Sequence, residues 1–165
     1  IEKDPTTAST YLKKLSDILR FTLYESPSAT IALAKEINHI EQYIELQKIR
    51  SNNTNFVKVD ASGATHDLQI APMLFIPFIE NAFKYSTNKK IDNAIVLTLS
   101  TQDNHVVFNC VNIYDDTTHK LTGEDGGLGL KLIKDRLELL YPKNYILDIN
   151  KTADHFMVNL AITIV

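Results

Sequence analysis

The apolar residues of this chain change their spacing near residue 51, and that change divides what the chain can fold into. Before it, Leu12, Leu15, Leu19 and Leu23, with Tyr11 and Ile18 beside them, recur at three- and four-residue intervals, the spacing of an amphipathic helix over Thr6 to Leu23. Pro5-Thr6-Thr7 is a suitable start, and Glu25-Ser-Pro-Ser28 a turn. A second helical period follows in Leu33, Ile37, Ile40 and Ile44 and runs to about Arg50. Two helices and a short turn predict a hairpin. Such a hairpin buries little alone, so its stripe has to pack on the following domain, on a partner chain or on residues outside this sequence.

Ser51-Asn-Asn-Thr-Asn55 is a polar break, and after it the period is two. Val57, Val59 and Ala61 predict a strand, followed by a loop from Gly63 to Asp67. Pro72 to Ser86 then reads as a helix, with Pro72 in its first turn and Pro77 kinking or restarting it just before Glu80. Strands are expected over Ala94 to Ser100 and His105 to Val111, joined by a turn at Gln102 to Asn104. In the second strand Val106, Phe108 and Cys110 alternate with Val107, Asn109 and Val111. Ile113 to Asp125 is a polar loop, Leu128 to Leu140 a helix ended by Tyr141-Pro-Lys-Asn144, and Tyr145 to Asn150 and His155 to Val165 close the chain as strands. The expected fold class is α/β: a two-layer sandwich with helices on one face of a mixed sheet, preceded by a helical hairpin. The expected division is a helical region over 1–52 and a second domain over 53–165.

Composition narrows the function. With 17 basic and 20 acidic residues the net charge is −3, which leaves no large basic surface for a nucleic-acid backbone. The single cysteine, Cys110, excludes an internal disulfide and reads as a core residue. No run approaches the ~18 apolar residues of a membrane span, and no signal-peptide pattern opens the chain. It begins at Ile1 without an initiator methionine, so it is expected to be a fragment of a longer protein.

Two stretches point to chemistry. Asn81 and Lys84 are three residues apart and share a helix face, with Glu80 about a third of a turn away. An amide and an ammonium on one face suit a phosphate and its metal ion, though many amphipathic helices carry the same pair towards solvent. Four of the five glycines, Gly123, Gly126, Gly127 and Gly129, fall where a polar loop opens a helix, the setting in which backbone N–H groups and the helix dipole bind phosphate. The cluster has no Lys-Ser/Thr ending and follows no strand, so it fits neither a P-loop nor a dinucleotide-binding turn.

Taken jointly, Glu80-Asn-Ala-Phe-Lys-Tyr85, the strand pair, the polar loop, Gly126-Gly-Leu-Gly-Leu130 and Arg136-Leu-Glu-Leu-Leu-Tyr141 resemble the ATP-binding domain of sensor histidine kinases. Leu15-Ser-Asp-Ile-Leu-Arg20, Tyr43-Ile-Glu-Leu-Gln-Lys-Ile-Arg50 and Ala71-Pro-Met-Leu-Phe-Ile-Pro77 are similar to the LytS/YehU type. The resemblance implies the Bergerat ATP-binding fold of the GHKL group, preceded by a dimerising helical region. It implies ATP and Mg²⁺ as ligands, with Asn81 coordinating the metal and Lys84 contacting phosphate. Tyr85 and Asn112 join the nucleotide contacts, Gly126, Gly127, Leu128, Gly129 and Leu130 form the glycine box, and Ile113 to Asp125 the lid over ATP.

Three departures from the family pattern bear on mechanism. Relatives carry an Asp-x-Gly-x-Gly segment whose carboxylate accepts a hydrogen bond from the adenine amino group; the corresponding place is Val111-Asn112-Ile113-Tyr114, where an amide oxygen can still accept that bond without charge. ATP-hydrolysing relatives have a general-base Glu four residues before the Asn, and here that residue is Pro77. The family's phosphoacceptor histidine lies in an Asn-Pro-His-Phe-like segment, and none of His39, His66, His105, His119 and His155 stands in one. His39 falls on the second helix at a position expected to face solvent, and the five show no zinc-ligand spacing.

The resulting expectation is the catalytic core of a two-component kinase that transfers the ATP γ-phosphoryl to a histidine outside this chain, and from there to a response regulator. Its partners would be ATP, a second copy in the parent protein and the response regulator, with neither nucleic acid nor membrane contacted, as the cytoplasmic portion of a bacterial inner-membrane sensor. The alternative is a degenerate nucleotide-binding module acting through protein contacts; a gyrase-like ATPase is disfavoured by Pro77.

Overall fold

The structure is a computed structural model that describes residues 5–49, 51, 53–64, 67–114 and 127–165. Helices α1 (Pro5–Tyr24) and α2 (Leu33–Ile49) form the hairpin, with the two-residue strand β1 (Ile31–Ala32) between them. Strand β2 (Val57–Gly63) and a second short strand, β3 (Gln69–Ile70), precede helix α3 (Ile76–Tyr85). The hairpin β4 (Ile95–Gln102) and β5 (His105–Ile113), helix α4 (Gly127–Leu140), and strands β6 (Tyr145–Lys151) and β7 (His155–Thr163) complete the chain.

The main sheet has five strands in the order β2-β4-β5-β7-β6, parallel only between β2 and β4. Its inward row follows the two-residue period: Ile95, Leu97 and Leu99 on β4, Val106, Phe108 and Cys110 on β5, Val158, Leu160 and Ile162 on β7. These pack against α2, α3 and α4 in one core, where Phe108 stacks on Phe75 at 4.7 Å between ring centroids. The mixed α/β architecture with a preceding helical hairpin is the expected one.

One expectation needs correction, and two features were not anticipated in detail. The helix around Asn81 does not begin at Pro72; Pro72 to Phe75 form a turn, and Pro77 occupies the second helical position, where its missing N–H costs nothing. The strands β1 and β3, paired antiparallel through Ile31–Ile70 and Ala32–Gln69, are too short for any periodicity to announce. The hairpin stripe also divides. Leu33, Ile37, Ile40 and Ile44 of α2 lie inside the core, while Leu12, Leu19 and Leu23 of α1 remain 65%, 53% and 68% exposed.

Helix α2 is thus a core element of the sheet-bearing unit. Ile44→Ala is expected to destabilise the chain by about 2–5 kcal/mol in urea denaturation, and Leu19→Ala, on the exposed face of α1, by less than about 1 kcal/mol.

Candidate functional site

The site begins with the strand period. Asn112 continues the inward row of β5 two residues beyond Cys110, so a polar side chain takes the last buried place, 2% exposed, at the end of the strand. It lies in register with Ile95 on β4 and Phe156 on β7. Its Nδ2 donates to the Ile113 carbonyl at 3.0 Å, which fixes the amide plane and turns Oδ1 to the other side as an acceptor.

Helix α3 ends against the same strand. Ser86, its C-cap, donates its N–H to the Ala82 carbonyl, and Thr87 N–H donates to the Ile113 carbonyl at 3.3 Å. Ser86 and Asn112 therefore sit on either side of that hydrogen bond. The Ser86 hydroxyl, in a residue only 9% exposed, has no hydrogen-bond partner among the described residues. An unsatisfied buried hydroxyl costs about 1–3 kcal/mol, which makes this a place suited to a polar ligand or a water.

Along α3, Asn81 and Tyr85 are half-buried and Lys84 is exposed, its Nζ 4.9 Å from the Tyr85 ring centroid. Glu80 is on another face. Its charge helps hold the Tyr43 hydroxyl of α2 up at about 12, after burial as the main cause, and its own carboxyl is raised by desolvation. Pro77 stands one turn before Asn81, where it supplies no proton acceptor.

Gly127 and Gly129 lie in the first turn of α4, which carries no acidic residue. A Cβ added at Gly129 would meet nothing within 4 Å, so no packed neighbour among the described residues demands glycine there. Leu130 packs against the core. Gly126, the loop from residue 115, His66 and His119 lie outside the described residues, as does the side chain of Leu128.

The two candidate helices share an anchor that sequence reasoning missed. Glu36, fully buried in the first turn of α2, accepts hydrogen bonds from the N–H groups of Met73 and Leu74 at 2.8 Å and Phe75 at 3.3 Å. Arg136 of α4 donates to the Met73 carbonyl at 2.7 Å and to that of Pro72, and Tyr141 Oη accepts from the Ala71 N–H at 2.8 Å. Burial pushes the Glu36 carboxyl up, against the three backbone N–H groups and the Arg136 charge, which favour the ionised form. A signal was available: Glu36 falls three residues after Leu33 and four before Ile40, inside the apolar stripe.

The remaining titratable candidates are accounted for by packing. His39 is not at the surface: it is 3% exposed and stacked on Phe21 at 4.0 Å, with burial holding its pKa down at about 4. Cys110 is buried, its thiol pushed up to about 12. His105 contacts Thr163, and His155 pairs with Asp154.

Comparison with known proteins agrees with this architecture. The histidine kinase family profile matches residues 1–55. A sensor protein kinase, HptS, of Staphylococcus aureus strain USA300 is 35% identical over 108 residues, 65% of this chain and 21% of its own length. The chain spans about a fifth of the length of the curated relatives it matches. Among solved structures it is similar to the Acinetobacter baumannii histidine kinase AdeS (TM-score 0.55, 12% identity, 93% of this chain and 75% of that one). It is likewise similar to the histidine kinase domain of the Erythrobacter litoralis EL346 blue-light activated kinase (TM-score 0.54, 12% identity, 98% of this chain and 76% of that one). The fold is that of histidine kinase catalytic domains. No helix among the described residues is long and apolar enough to cross a membrane.

The buried histidine yields a pH dependence. Its folded pKa, about 4, lies below the ordinary 6.5, so the unfolded chain binds the proton more readily and stability falls as pH drops from about 6.5 towards 4. Denaturation at pH 7.5 and pH 5 is expected to differ by about 2 kcal/mol from this group alone, and His39→Phe, which keeps the stack on Phe21, to remove that difference.

Proposed function

We propose that this chain is the ATP-binding catalytic core of a two-component sensor histidine kinase. The observation that carries the reading is the buried Asn112 amide, held by the Ile113 carbonyl, and the partnerless buried Ser86 hydroxyl, on two segments that the Thr87–Ile113 backbone hydrogen bond joins where the Asn81- and Lys84-bearing helix meets the sheet. In this reading the Asn112 oxygen accepts the adenine amino group, Lys84 and the N-terminus of α4 with Gly126, Gly127 and Gly129 face the phosphates, and Tyr85, Leu128 and Leu130 line the nucleotide. Asn81 would offer its amide oxygen to a Mg²⁺ ion, which when bound would neutralise triphosphate charge.

The residues present suit transfer to a side-chain acceptor rather than to water. Phosphoryl transfer depends mainly on positioning and charge neutralisation, which an amide, an ammonium and a helix N-terminus supply. Activation of water would need a base near the phosphates; Pro77 cannot be one, and Glu80 is exposed, about a third of a turn from the face of Asn81 and Lys84. On this reading the acceptor is a histidine outside this chain, since none of the five stands in an Asn-Pro-His-Phe-like segment; among the described ones His39 is buried in a stack, and His105 and His155 make strand-end hydrogen bonds.

The division into a helical region over 1–52 and a catalytic domain over 53–165 is, on this reading, functional rather than mechanical, because α2 shares the catalytic core. The exposed leucines of α1 suit pairing with a second copy in the parent protein, and the phosphoryl passes on to a response regulator on the cytoplasmic side of a membrane-anchored bacterial sensor. The uncharged Asn112 favours one other reading, a degenerate nucleotide-binding module whose adenine contact is weakened and which acts through protein contacts.

Calorimetric titration with Mg·ATP separates the two. Saturable binding is expected, weakened about tenfold or more by Asn81→Ala and by Asn112→Ala, whereas no ATP-specific heat would sink the kinase reading in favour of the module. Incubation with γ-labelled ATP is expected to leave the chain without acid-labile phosphohistidine, and label on any of its five histidines would overturn the assignment of the acceptor to a position outside it.

A further inference from the structure

Two segments noted above for their resemblance to the family, Ala71-Pro-Met-Leu-Phe-Ile-Pro77 and Arg136-Leu-Glu-Leu-Leu-Tyr141, are bound to each other, and the first is bound to α2. We propose that Glu36 and Arg136 are positioning residues that set the Asn81 helix against the glycine-bearing helix α4, so that the seat of α2 governs nucleotide affinity. The inference rests on the nucleotide-site reading above and deepens it.

The geometry supports a rigid three-way joint. Within the turn 71–75, the N–H groups of Ala71, Met73, Leu74 and Phe75 and the carbonyls of Pro72 and Met73 are all held by three side chains from outside it. Met73 adopts a φ of 54°, a left-handed conformation costly for a residue with a Cβ. Its N–H is held by the Glu36 carboxylate and its carbonyl by the Arg136 guanidinium, so opposite charges grip both sides of the strained residue. Phe75 follows as N-cap of α3, and that helix has no side-chain cap of its own. The negative charge of Glu36, one turn before the helix, complements the positive end of its dipole.

The consequence is directional. Displacing α2 relative to the sheet moves Glu36, and the turn that starts α3 moves with it or loses its hydrogen bonds; Asn81 and Lys84 ride on that helix. Helix α2 is also the element that packs on α1, with Phe21 stacked on His39. A change in the α1–α2 hairpin therefore reaches both halves of the nucleotide site through one carboxylate and one guanidinium.

The test measures Mg·ATP affinity of the full 165-residue chain by calorimetry, at a temperature where circular dichroism reports each variant fully folded. Glu36→Gln substitutes an amide that cannot accept three N–H groups at two oxygens, and it is expected to weaken binding about tenfold. Arg136→Met is expected to do the same, and the double variant to lose less than the product of the two, because both act on one joint. Tyr141→Phe, which deletes one hydrogen bond without touching charge, and Arg136→Lys, which keeps charge but not the forked contact, carry the test if Glu36→Gln fails to fold. Ile162→Val, a core change remote from the turn, is the control: it is expected to lower Tm while leaving the affinity of the folded protein within about twofold. Amide exchange over residues 76–85 is expected to accelerate in Glu36→Gln and not in Ile162→Val. Unchanged affinity and exchange in all four clamp variants, with binding intact in the unaltered chain, overturn this inference alone. Absence of binding in the unaltered chain overturns the proposed function and this inference with it.

Discussion

The structure depends on a carboxylate that would ordinarily be kept out of a protein core. Glu36 is fully buried, and an isolated charge there would be prohibitive. Three backbone N–H groups and the nearby Arg136 charge make the site tolerable, and the same contacts hold a turn that no strand or helix could satisfy internally. Breaking one partner would leave the others unpaired and buried, so the network is stable as a whole and weak in parts. The start of α3 and the far half of α4, the two helices that carry Asn81, Lys84 and the glycines, are fastened at this point.

Much of this was legible beforehand. The two-residue period located the strands of the main sheet, and continuing it past Cys110 places Asn112 at the last inward position of β5. Spacing put Asn81 and Lys84 on one helix, and both lie on α3, with Gly127 and Gly129 in the first turn of α4. The family reading of the sequence and the fold of the chain agree.

What could not be read has physical reasons. A helix boundary beside two prolines depends on which of them finds its missing N–H harmless, and that is settled by how the turn 72–75 is held from outside, not by local propensity. The two-residue strands β1 and β3 exist because distant segments meet, and no local pattern encodes a meeting. His39 looked solvent-facing because a helical wheel cannot anticipate that α1 would lie over it and supply Phe21 as a stacking partner. The leucines of α1, conversely, have the spacing of a buried stripe and are left at the surface.

The margins of the main sheet carry a consequence for how copies of the chain can meet. On β2, the outermost strand on one side, the register shifts between Asp60 and Gly63, and Lys58 and Asp60 add charge. On the other side β6 ends in Asp148, Asn150 and Lys151. Irregular, charged borders of this kind resist edge-to-edge strand pairing, the usual route to fibrous aggregation. With both margins blunted, backbone pairing between copies is disfavoured, and the exposed apolar surface lies largely on helices instead, at Leu12, Leu19 and Leu23 of α1 and at Leu132 and Leu139 of α4.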